Sequence, residues 1–201
     1  MILKILKLGI KTILNFLCER ITIKDIDISI KNNSFRGRID KLNINAENII
    51  LDKLFINNIN IIIYDLFIKI GSQNKLISLN KFNADMILEF NRDNLKDIIF
   101  HDKWSKIRSE LELFICDNNQ IKDIDIREGL IYFSYANNNI NYQLGCSLKL
   151  DKINNNIMLK NNIKDNIMLI SMDQNILLKY LLINENKITA ELSSEIRLQS
   201  K

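Results

Sequence analysis

The chain has 201 residues, 47% of them apolar, 26% charged and 7% aromatic, with 5 glycines, 3 cysteines and no proline. This is the composition of a folded domain rather than a disordered tail. Lys+Arg 28 against Asp+Glu 24 leaves a net charge of only +4, spread along the sequence, which does not support nucleic-acid binding. A single histidine, His101, excludes a His-rich zinc site and leaves a Ser-His-Asp set with one candidate base. Forty isoleucines, 29 asparagines and no valine mark a bias toward A- and T-rich codons, so the pattern of these residues carries more information than their number.

Residues 1–17 resemble a secretory leader only superficially. Lys4, Lys7 and Lys11 interrupt the apolar run, and no small-x-small cleavage site follows. At helical spacing Lys4, Lys7, Lys11 and Asn15 form one narrow stripe, and apolar residues fill the rest of the circumference. The expectation is an amphipathic helix over residues 1–18. It would lie on a membrane interface, cover a sheet, or do both.

Residues 20–30 alternate apolar and polar, with one phase slip near Asp25, which predicts a strand carrying a bulge. Asparagines and Ser34 punctuate residues 31–34, and Gly37 permits a turn before alternation resumes at residues 42–46. The longest β-like run is residues 55–70, with Ile59, Ile61 and Ile63 on one face and Asn58 and Asn60 on the other. Another strand is predicted over residues 76–90, and it stops where Asn91 is a helix N-cap with Asp93 in the first turn. A break at His101 and Asp102 precedes a second short helix through Trp104, Ile107, Arg108 and Leu111. From residue 121 onward, asparagine clusters at 137–139, 154–156, 161–162 and 184–186 predict consecutive hairpins.

These elements predict an α+β fold. A curved antiparallel sheet of consecutive hairpins would pack on the N-terminal helix and a central short helix pair. Residues 19–201 would form a single domain, since no Pro/Gly/Ser-rich linker divides them.

Sites of chemistry are sparse. The hexapeptide of residues 23–28 recurs residue for residue at 121–126, which raises an internal duplication and places Asp-x-Asp twice. Each pair lies in mid-strand alternation, where both carboxylates form a solvated face. His101 reads as an exposed residue in a helix break, and Trp104 as core. Cys18, Cys116 and Cys146 are odd in number and widely spaced, which suits buried thiols in a reducing compartment. No phosphate-cradling, nucleophile-elbow or metalloprotease motif is present. No catalytic residue, cofactor or metal is therefore expected, and the chain is not read as an enzyme.

One block points to a family. Asn33, Ser34, Phe35, Arg36, Gly37, Arg38 and Ile39, followed by residues 42–46 and 54–56, resemble the opening of the LmeA-like phospholipid-binding family in its cyanobacterial form. Residues 59–63 are similar to its next strand, and residues 84–95 resemble the strand that leads into its helix start. The resemblance spans roughly residues 33–112. Phe35 stands in place of a leucine, Asn91 in place of threonine or serine and Lys96 in place of an asparagine common there. A proline-containing segment before the Ala84 strand is absent.

The resemblance implies a phospholipid-binding role at a membrane of a plastid or cyanobacterial-type cell. On that expectation Lys4, Lys7 and Lys11 meet anionic headgroups while Leu3, Leu6, Ile10 and Leu14 enter the interface. Ile59, Ile61 and Ile63 would line a lipid groove. The alternative is a structural or assembly factor holding a protein partner on the same apolar surface.

Overall fold

A computed structural model describes residues 2–30, 37–69, 78–79 and 82–196. The predicted helix forms as α1 (Ile2–Leu17) and leads directly into the strand β1 (Arg20–Ser29). Then follow β2 (Arg38–Leu51), β3 (Leu54–Lys69), the two-residue β4 (Ser78–Leu79) and β5 (Phe82–Asn91). Two helices, α2 (Arg92–Phe100) and α3 (Ser105–Cys116), are joined through a single 3-10 turn, Asp102–Trp104. The second half is all strand: β6 (Ile121–Arg127), β7 (Leu130–Asn137), β8 (Ile140–Asp151), β9 (Asn156–Asn161), β10 (Ile167–Ser171), β11 (Ile176–Asn184) and β12 (Lys187–Ile196). The punctuation at residues 31–34 and the turn residues Phe35 and Arg36 lie outside the described residues.

The fold is α+β as expected, antiparallel hairpins packed on helices, with the strands divided between two sheets. The first runs β1-β2-β3-β5-β12-β11, with β4 added beside β3, and the second is the meander β10-β9-β8-β7-β6. Alternation cannot reveal this division, because strands of both sheets share the same period of two. The last hairpin leaves the meander and returns to the first sheet, where β12 pairs along the whole of β5.

Local chemistry accounts for the boundaries. Asn91 caps α2 as expected: its side chain accepts from the Asn94 N–H while the Asn94 side chain accepts from the Asn91 N–H. The tight hairpin turns at Asp52 and Lys53, Glu128 and Gly129, and Asn138 and Asn139 all carry positive φ at both central residues. That is the backbone twist a two-residue hairpin requires. The slip near Asp25 is a register shift between Ile23 and Asp25 against β2. Gly37 has φ +79 just before β2, a conformation that favours glycine. Gly145 serves another purpose: the Tyr132 ring lies across it, and a Cβ there would stand 3.1 Å from that ring.

Packing separates into two regimes. In the second half, Ile99 of α2 and Leu111, Ile115 and Cys116 of α3 are buried with Ile121, Ile124 and Phe133 of the meander and Ile188 of β12. In the first half, Ile26, Ile39, Leu42, Ile44 and Leu66 form a buried row against which Ile10 and Leu14 of α1 pack. A third cluster joins the sheets, with Leu178, Ala190 and Leu192 meeting Leu150 and Ile157.

Candidate functional site

The two faces of α1 are the first component. Ile10 and Leu14 turn inward onto the first sheet and Leu6 is half-buried, so these three do not present themselves to an interface. Lys7 is drawn to the sheet as well, with Nζ 3.5 Å from the Asp27 carboxylate. The outward surface belongs to other residues: Ile5, Leu8 and Phe16 are 62%, 66% and 88% exposed. With Thr12 they span an arc of about 80° at helical spacing, bordered by the exposed Lys4 and Lys11. Leu3 falls between Ile10 and Leu14 at helical spacing, yet it is 44% exposed. The sequence could not divide this helix, because both of its faces are apolar and only the packed sheet decides which one is covered.

The second component is a thinly covered seam on the apolar face of the first sheet. Ile59, Ile61 and Ile63 do share that face, as expected, and β3 is a central strand between β2 and β5. All three are nevertheless only half-buried, as are Met86 and Leu88 opposite Ile61 and Ile59 on β5. Ile61 and Ile63 pack on the same buried cluster as Ile10 and Leu14 of α1, whereas Met86 and Leu88 pack on the cluster that Leu150 and Ile157 of the second sheet also join. Central-strand residues so incompletely covered leave part of this apolar face open. Met86 and Leu88 belong to this open stretch, although no sequence pattern distinguished them from core.

The opposite face of the same sheet is polar and self-paired. The Asn60 amide donates to Asn43 at 3.2 Å and also to Asn45. Glu89 accepts from Lys187 at 2.6 Å and from Asn58 at 2.9 Å, and these two donors hold its carboxyl below the usual range. At one end of this face a cavity of about 530 Å³ is lined by Tyr64, Asn83, Asp85, Lys179 and Ser193, with Lys179 2.6 Å from Asp85. Its lining is polar and mutually neutralised, so it does not suit an acyl chain.

The remaining motif residues have structural partners. Asp123 and Asp125 keep side chains 45% and 31% exposed, and their carboxylates accept from the Ile124 and Ile126 N–H groups at 2.9 and 3.0 Å. Lys96 Nζ stands 2.5 Å from Asp123 and lowers its pKa, with Arg92 beside it. His101 is likewise not a free exposed side chain. It is half-buried, and Nδ1 accepts the Lys103 N–H at 3.1 Å to cap the 3-10 turn. Trp104 is half-buried and donates Nε1–H to the Lys53 carbonyl at 3.0 Å, fastening the helix corner to the β2–β3 turn. Cys116 and Cys146 are fully buried, and burial pushes both thiols up to about 12. Among the described residues no three His, Cys, Asp or Glu converge as a metal set, and no helix is long and apolar enough to cross a membrane.

Comparison with family models, curated proteins and solved structures finds no match to this chain. The case for function therefore rests on the two faces of α1 and the seam beside it.

Proposed function

We propose that this protein binds phospholipid at an anionic membrane surface without catalysing a reaction. The observation that carries the reading is a helix apolar on two faces beside a sheet whose central apolar side chains stay half-buried. Ile10 and Leu14 of α1 pack on the same buried cluster as Ile61 and Ile63, and the seam between them is the cleft this reading assigns to lipid, while Ile5, Leu8 and Phe16 of the same helix face outward. A helix seated in the interface by its outer face sets the cleft beside the bilayer, where an acyl chain passes between them without crossing water. Lys4 and Lys11 border the outer face and suit anionic headgroups, each contributing about 1 kcal/mol near such a surface.

The resemblance of residues 33–112 to the LmeA-like family supports the same reading, and with it a plastid or cyanobacterial-type membrane as the setting. The test is native mass spectrometry of the full chain after incubation with phosphatidylglycerol vesicles, comparing wild type with Ile61→Trp. The expected result is one bound phospholipid on the wild type and loss of it when indole fills the cleft. A chain that sediments with vesicles yet carries no lipid removes the cleft from the proposal. One that neither sediments nor carries lipid removes the whole of it.

A further inference from the structure

The two sheets end in four edge strands, and three of them are blocked. β1 carries Lys24, Asp25 and Asp27 and two register shifts against β2. On β6, Asp123 and Asp125 occupy the outward N–H groups of Ile124 and Ile126, Glu112 takes the Ile121 N–H at 3.1 Å, and Arg92 donates to the Ile124 carbonyl at 3.3 Å. The start of β11 is plugged by Asn155, which accepts from the Leu178 N–H at 2.9 Å and donates to the Ile176 carbonyl. A register shift between Leu178 and Tyr180 breaks it further. Charges, bulges and side-chain plugs of this kind are how proteins prevent a sheet edge from recruiting another strand.

β10 has none of these. Its five residues are Ile167, Met168, Leu169, Ile170 and Ser171, without charge, glycine or bulge, and it pairs with β9 in unbroken register. The Asn161 N–H donates to the Asn166 carbonyl at 3.0 Å, so even-numbered residues of β10 bond inward. The N–H and C=O groups of Ile167, Leu169 and Ser171 therefore point away from the sheet, and no described residue bonds to them. Ile167 and Leu169 are 52% and 56% exposed, with Met158 beside Leu169 on the same face.

We infer that β10 is a pairing edge for a second copy of this chain, joined antiparallel about a two-fold axis through Leu169. That register sets Leu169 against its own counterpart and Ile167 against the partner's Ser171, and it satisfies all three outward residues of each strand at once. Absence of charge across residues 166–171 is what lets identical strands meet without repulsion, and the exposed Leu169 side chains contact each other across the axis. The five-stranded meander becomes one ten-stranded sheet. A short strand pair buries less area than a permanent interface, so the dimer forms reversibly with concentration.

Sedimentation velocity of the full chain across a concentration series tests this, together with amide hydrogen exchange. Wild type is expected to shift from monomer to dimer, with exchange at Ile167 and Leu169 slowing as the dimer forms. Leu169→Lys sets like charges opposite one another and is expected to weaken association by about tenfold or more while leaving the melting temperature unchanged. Phe16→Ser is expected to leave the dimer intact, which separates this edge from the outer face of α1. A monomer at every concentration with fast exchange at Ile167 and Leu169, or a dimer insensitive to Leu169→Lys, overturns the inference. So does protection of these amides by vesicles instead of by concentration.

Discussion

Phe16 offers the sharpest separation between folding and membrane binding. Its side chain is 88% exposed on the outer face of α1, so replacing it removes almost no contact within the fold. Surface substitutions of this kind change stability by no more than about 0.5 kcal/mol. Burying a phenylalanine stabilises by roughly 1.5–3 kcal/mol, and a helix lying in the interface realises most of that, or about 2 kcal/mol. At about 1.4 kcal/mol per tenfold, Phe16→Ser should weaken partition onto anionic vesicles by roughly 30-fold.

Ile10 is the internal control. It faces the sheet, and Ile10→Ala should lower the melting temperature while the folded fraction still binds vesicles. The assay is co-sedimentation with phosphatidylglycerol-containing vesicles beside thermal unfolding of the same samples. Equal binding by Phe16→Ser and wild type would refute the orientation of the helix. A melting temperature sharply lowered by Phe16→Ser would refute the claim that this face is free.

Other expectations follow from single sites. Ile124 is fully buried between the helices and the second sheet, so Ile124→Ala should cost about 2–5 kcal/mol in urea unfolding with the slope unchanged. Glu128 holds φ +52 at the first turn position before Gly129, so Glu128→Asn, which relieves a left-handed backbone, should stabilise by roughly 0.5–1 kcal/mol in the same assay. The Glu89 carboxyl is held below its ordinary value by Lys187 and Asn58. The stability it contributes is present above that ordinary value and is lost as pH falls through the depressed folded value. Glu89→Gln should therefore flatten the acid side of the stability profile, and superimposable profiles would contradict the pairing. Cys116 and Cys146, buried with thiols raised to about 12, should resist alkylation in the native chain and react on unfolding.

Legibility in the sequence follows the range of the interaction that decides each feature. Asn91 was readable as a cap because its partner, Asn94, lies three residues away. The bulge at Asp25 was readable because a slipped phase is a local event. The pairing of β12 with β5 was not, since it joins Lys187 to Asn91 across most of the second half of the chain. The outer face of α1 was hidden for another reason: ten apolar residues surround one polar stripe, and only the sheet selects Ile10 and Leu14 over Ile5 and Phe16. Ile59, Ile61 and Ile63 were readable as one strand face, but their partial exposure depends on elements that fail to meet above them.

The repeated hexapeptide gains meaning from its positions. Both copies fall on the edge strand that opens a sheet directly after a helix, β1 after α1 and β6 after α3. Both have a register shift at the same step, Ile23 to Asp25 and Ile121 to Asp123. The same local sequence thus builds the same bulged edge twice, yet the coverings differ. In the second half, Leu111, Ile115 and Cys116 of α3 are buried and the apolar face is closed. In the first half no residue of α1 with described burial is fully buried, and Ile59, Ile61 and Ile63 of β3 stay half-buried beside the buried Leu42 and Ile44. An apolar helix that covers its sheet so incompletely leaves unburied surface on both of its sides, and that surface weakens the fold unless something apolar completes it. On the proposed reading a lipid at the half-buried seam and a bilayer at the outer face would complete both sides at once, whereas a protein partner on the outer face alone would leave the seam uncovered.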